Sequence, residues 1–228
     1  MHSTPEQAEP TSQNRIPACR HLSEGPVEYP AVVDSHSVPG EESAEFAQAL
    51  RDLRAARLRP EVRLTEVPAP SRIAPHAVAM SAEVVTVDAR ERGEELATGR
   101  FVLLHDASRP EPWAGVWRAV TFVRAVFDPE LANDPMVGAV GWSWLMEALA
   151  NREATCVAEA GTVTRVVSES FAGLAERSAT VEMEIRASWT PIGPDLGVHL
   201  QAWADLLCTV AGLPPLPEGV VAFPRYRR

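Results

Sequence analysis

Residues 179 to 190 constrain the fold more than any other stretch of this chain. Val181, Met183, Ile185, Ala187 and Trp189 alternate without a break against Glu182, Glu184, Arg186 and Ser188. Successive side chains of a strand point to opposite faces, so this pattern predicts a strand with one dry face and one wet face. The dry face needs a cover, and the next residues predict one. Leu196, His199, Leu200, Trp203, Leu206, Leu207 and Val210 recur at helical spacing, between Pro194-Asp195 and Gly212 followed by Pro214-Pro215. The pair implies an antiparallel sheet covered on one side by helices.

The remaining periodicities extend that scheme. Phe46, Leu50 and Leu53, with Ala49 and Ala56, predict an amphipathic helix over about 42 to 58. Glu41, Glu42 and Glu45 suit its first turn, and Arg54 and Arg57 its last. Val67-Pro68-Ala69-Pro70 reads as an irregular extended stretch. Strands are expected at 76 to 87, at Phe101 to Leu104 (buried on both faces) and at 116 to 127, with a charged turn from Asp88 to Gly99. Asp128-Pro129 and Asp134-Pro135 each resemble a cap followed by proline at the first helical position. The second opens a predicted helix of 135 to 151, and a strand follows at 161 to 172. The order α-βββ-α-ββ-α makes the chain an α+β single domain. It has an antiparallel sheet of about five strands and helices packed on one face.

That domain is expected over 41 to 222. Residues 1 to 40 carry six prolines and a net charge of −3 with few clustered apolar residues, the composition of a disordered tail. Residues 223 to 228 form a short basic tail. No apolar run approaches a membrane span, so no membrane partner is expected.

Charge and cysteine usage exclude several chemistries. All 21 basic residues are Arg, so a Schiff-base or phosphate-loop lysine is ruled out. The formal charge of −10 argues against a general nucleic-acid coat. Cys19, Cys156 and Cys208 are odd in number and widely spaced, which suits a reduced, cytoplasmic protein better than a disulfide framework. His2, His21, His36, His76, His105 and His199 include no pair at i, i+4, so no metal is expected, and no motif implies a cofactor.

Three segments resemble an uncharacterised actinobacterial family known as domain of unknown function 3000. They are Leu53 to Ala79, Gly99 to Trp113, and Val140-Gly141-Trp142-Ser143-Trp144. The resemblance spans about 42 to 222 and implies no activity, cofactor or catalytic residue. Members of that family often lie beside a ribonuclease-D-like exonuclease gene, which implies only an RNA-linked setting. The element order is also similar to that of type III secretion chaperones and YbjN-like proteins, α+β modules that bind other proteins. This second likeness is one of topology alone.

The candidate functional residues fall into four groups. Trp113 in a proline-flanked loop, and Trp142 and Trp144 about 200° apart on one helix, point to a protein partner or a homodimer. Arg51, Arg54, Arg57, Arg59 and Arg63 give a local excess of positive charge suited to RNA or another anion, with Arg118 and Arg124 as further basic spots. His105 and Asp106, at a strand end, are the candidate acid/base pair of a cryptic enzyme. Glu182 and Glu184, with Arg186 beside them, are expected on a solvated strand face. His199 and Cys208 are expected in the core. A non-enzymatic cytoplasmic binding or regulatory module is the reading these residues favour, with an RNA-linked accessory protein and a cryptic enzyme as alternatives.

Overall fold

Three helices and six strands appear in the order α1 (Ala44–Ala55), β1 (Val62–Val67), β2 (His76–Val85), β3 (Glu95–His105), β4 (Trp117–Phe127), α2 (Val137–Asn151), β5 (Cys156–Ser168), β6 (Thr180–Pro191) and α3 (Gly197–Val210). They come from a computed structural model that describes residues 43–85, 95–127 and 134–215. The expected tails of 1 to 40 and 223 to 228, most of the charged turn from Asp88, Asp128-Pro129, Cys19 and the first three histidines lie outside the described residues.

The chain is an α+β single domain built on one antiparallel sheet, ordered β1-β2-β3-β4-β6-β5. Strands β1 to β4 form a meander. Strands β4 and β5 run parallel with β6 between them, and such a pair cannot be joined by a hairpin. Helix α2 supplies the crossover.

The sheet has six strands, against about five expected. The addition is β1, whose residues pair in register from Val62 opposite Val84 to Val67 opposite Ala79. Its alternation is weak because Glu66 occupies the side that Val62 and Leu64 turn toward the core. Strand β3 reaches back to Glu95, six residues before the apolar run that announces it. Helix α1 is shorter than its periodicity and stops at Ala55, because the chain must turn through 57–61 to enter β1. Ser43 caps it, its Oγ accepting from the amide of Phe46 at 3.1 Å.

The alternation in β6 places Val181, Met183, Ile185, Ala187 and Trp189 in the core, as the pattern requires. All three helices cover that face. Helix α3 is central. Trp203, Leu206, Leu207 and Leu200 are fully enclosed, and the Trp203 ring packs 5.7 Å from Phe101 of β3. Burying a side chain of this size is worth about 1.5–3 kcal/mol. The close approach depends on Gly99, where a Cβ would lie 2.7 Å from Trp203 Cζ2 and 2.6 Å from the Phe122 carbonyl oxygen. Ion pairing then ties the helices together. Arg152, the C-cap of α2, grips Asp205 of α3 through Nε at 2.5 Å and Nη2 at 3.0 Å.

The opposite face carries no α-helix among the described residues. A small apolar cluster of Ala79, Val102 and Leu104 is covered there by Trp113 and the proline-rich 67–74 stretch. The rest of that face is a lattice of charged and β-branched side chains.

Candidate functional site

His105 closes β3, and its register fixes its surroundings. It lies opposite His76 on one side and Trp117 on the other, so three aromatic rings cross β2, β3 and β4 on a single rung. Phe46 of α1 covers them, with ring centroids 5.2 Å from His76, 6.4 Å from His105 and 6.3 Å from Trp117. His105 is 2% exposed. Its Nε2 lies 3.3 Å from the Glu45 carboxylate, but without hydrogen-bond alignment, and Nδ1 has no partner among the described residues.

Asp106 follows at once but does not serve that ring. Its Oδ1 accepts from the Ser108 amide at 2.8 Å and its own amide donates to Val116, so it builds the turn leaving the strand. The structure therefore encloses the imidazole and spends the carboxylate on the backbone. A cleft of about 530 Å³ lies beside this box, walled by Glu45, Gln48, Asp52, Trp117 and Leu196. Gln48 Nε2 donates to Asp52 Oδ1 at 2.6 Å and Arg51 donates to Gln48 Oε1, while Asp52 Oδ2 is buried with no hydrogen-bond partner among the described residues.

The five clustered arginines are close in sequence and scattered in space. Arg51 is held by Gln48, and Arg54 lies 3.6 Å from Glu66 of β1. Arg57 contributes its carbonyl oxygen to Gln201. Arg59 is a structural clamp, bonded to both oxygens of Glu61 and to the Pro214 carbonyl. The hydrogen-bonded Glu61 carboxylate holds the Arg59 pKa above its ordinary value, and Arg59 holds that of Glu61 down. Arg63 stands on β1 opposite Glu83, turned away from the helices.

A second set of arginines gathers on the open sheet face. Arg124 bonds Glu182 at 2.6 Å, Arg186 bonds Glu184 at 2.7 Å, and the Arg186 guanidinium sits 5.2 Å from the centre of the Phe122 ring. Glu182 and Glu184 thus belong to an exposed ion-pair lattice, with Arg186 as partner of one. Arg118 is different. Its Nη atoms donate to the Ala158 carbonyl, Thr190 Oγ1 and Ser188 Oγ, all neutral, and burial lowers its pKa. Sequence spacing placed Arg118 and Arg124 on one strand face. It did not identify Arg100, Phe122 and Arg186, which register places side by side across β3, β4 and β6.

The three candidate tryptophans are all half-buried and do not form one patch. Trp113 lies on the open side, against Ala79, Val102 and Leu104. Trp144 stacks on Phe127 at 6.3 Å, and Trp142 lies over Gly161 of β5, where a Cβ would approach Trp142 Cζ3 to 2.5 Å. The two residues of α2 thus pack on either side of the helix at the edge of the core.

Beside Trp142 runs a feature that the sequence reading did not single out. Among the described residues, strand β5 ends the sheet and pairs only with β6, and every residue from Val157 to Ser168 except Val163 is exposed. The signal was present as the β-branched run Thr162-Val163-Thr164 and Val166-Val167.

The remaining reactive side chains are buried or tied. Burial drives the His199 pKa down to about 4 and the Cys208 thiol up to about 12. Cys156 is also raised to about 12, by burial and by its hydrogen bond to Glu159 at 3.2 Å. Among the described residues no group of three or more His, Cys, Asp or Glu side chains is placed to hold a metal ion, and no helix is long and apolar enough to cross a membrane.

Comparison with known proteins gives one match. The profile of a family described as "Protein of unknown function (DUF3000)" matches residues 42–221. No curated protein and no solved structure matches the chain.

Proposed function

The chain belongs to this family of unknown function, and we propose that within it the domain acts as a non-enzymatic cytoplasmic protein-binding or regulatory module. The partner engages the margin where α2 lies along β5. The observation that carries this reading is the Trp142–Gly161 contact, which places a half-exposed indole on a strand lacking a side chain to hide it. Exposed Val167 stands on the same side of β5 as Gly161, opposite Val181, and adds apolar surface there. Aromatic anchors on such a margin are what protein partners use. The free thiols of Cys156 and Cys208 suit a reducing compartment. Trp113, already committed to the opposite face, contributes less.

The test is affinity capture with mass spectrometry on the wild type, Trp142→Ala and Trp113→Ala. Partners retained by Trp113→Ala and lost by Trp142→Ala support the reading. An identical set on all three proteins contradicts it.

An RNA-linked accessory role is the second reading, and Arg100 and Arg118 favour it. Neither has a carboxylate within ion-pair distance among the described residues, and both stand on the open face beside Val120 and Phe122. Guanidinium groups of this kind can take phosphate oxygens. Arg51, Arg54, Arg57, Arg59 and Arg63 support it less, being dispersed and partly paired. Filter binding across a salt series tests it: retention that falls as salt rises supports RNA binding, and no retention at low salt ends it. A cryptic enzyme centred on His105 and Asp106 draws the least support, since the imidazole is enclosed and the carboxylate faces the turn.

A further inference from the structure

The free edge of β5 fits one occupant better than others, and we infer that it is a second copy of this chain, paired antiparallel about a two-fold axis at Thr164. This deepens the binding-module reading and rests on it.

Soluble sheets blunt their edges with charge, proline, bulges or brevity. Strand β1, the other edge of this sheet, is blunted in that way: it is six residues long, carries Arg63 and Glu66, and runs into Pro68. Strand β5 is not. Its irregularity is confined to 158–159, where Ala158 adopts φ +54. From Ala160 to Ser168 the register against β6 is regular, with no proline and no acid. The one charge there, Arg165, already donates to the Asp134 carbonyl at 2.5 Å. Nine residues give about 30 Å of edge with no pairing partner among the described residues.

That run is self-complementary. Laid antiparallel on itself with its centre at Thr164, it places Thr162 opposite Val166, Val163 opposite Arg165 and Ala160 opposite Ser168. No arginine faces an arginine. The remaining pair is Gly161 with the second copy's Val167. In β5 both residues point to the helix-covered side, opposite Ala187 and Val181 respectively. The second copy's Val167, 49% exposed in this chain, therefore comes beside Gly161 and packs against the half-exposed ring of Trp142 that covers it. The same contact occurs twice, as an isologous interface demands.

Sedimentation equilibrium on the full chain tests the inference. The wild type is expected at twice the 24.8 kDa chain mass. Thr164→Glu sets two carboxylates face to face at the axis and should weaken self-association roughly a hundredfold. Because Thr164 is exposed, the variant keeps its circular dichroism spectrum. As a second readout, Thr164→Cys should oxidise to a disulfide-linked dimer, while Ile73→Cys, at an exposed site away from the strand, should not. A monomeric wild type, or a dimer that Thr164→Glu leaves intact, or a dimer that Thr164→Cys fails to cross-link, overturns the self-pairing. Each such outcome leaves the Trp142-dependent capture of another protein to be judged by its own experiment.

Discussion

Trp189 donates its indole N–H to His199 Nδ1 at 3.1 Å, and this bond joins the last strand to the last helix inside the core. It also fixes the chemistry of the imidazole. A ring that accepts at Nδ1 is neutral and carries its proton on Nε2, and that nitrogen has no partner among the described residues. Protonation would therefore put an unpaired charge in an apolar interior, which is why the His199 pKa falls to about 4. Its folded value lies below the ordinary 6.5, so the unfolded chain binds the proton more readily. Stability from this group is complete above about pH 6.5 and is lost as pH falls toward 4, by on the order of 3 kcal/mol. Denaturant titrations at a series of pH values should show that slope. His199→Leu should flatten it, at a cost of about 1–3 kcal/mol at neutral pH for the stranded Trp189 N–H. An unchanged slope in the variant would move the effect to another group.

Gly99 is the second sensitive point. A methyl group there meets both the Phe122 carbonyl and the Trp203 ring at under 3 Å, and both are held in place by the sheet and by α3. Gly99→Ala should cost about 1–3 kcal/mol, as overpacked cores do. The midpoint of chemical unfolding measures it, and a variant as stable as the wild type would show that α3 can shift away from β3.

Much of this fold was legible because its central elements are strongly periodic. The alternation in β6 and the stripe on α3 each carry five or more core residues, so class and boundaries follow directly. Strand β1 was hidden because Glu66 breaks its short alternation. The functional surface was harder. The arginines at 51 to 63 are neighbours in sequence, and turns through 57–61 separate them in space. Arg100, Phe122 and Arg186 are far apart in sequence, and only strand register makes them neighbours. At His105-Asp106, strand alternation and the turn after it send the two adjacent side chains different ways.

Cysteine reactivity offers a third check. With both thiols raised to about 12, Cys156 and Cys208 are protonated near neutrality, and the thiolate is the reactive form. Peptide mapping after brief treatment with iodoacetamide should find both unmodified in the folded protein and modified after unfolding. Rapid native labelling of Cys156 would mean that Glu159 does not hold its thiol.

Pairing of the outer β5 edge in solution is read by amide hydrogen exchange resolved along 156–168. In a strand bonded only to β6, alternate amides face solvent and exchange fast. With a second copy paired there, the outward-facing amides between 160 and 168 are protected at high protein concentration and lose that protection on dilution. Fast exchange of those amides at every concentration would contradict it.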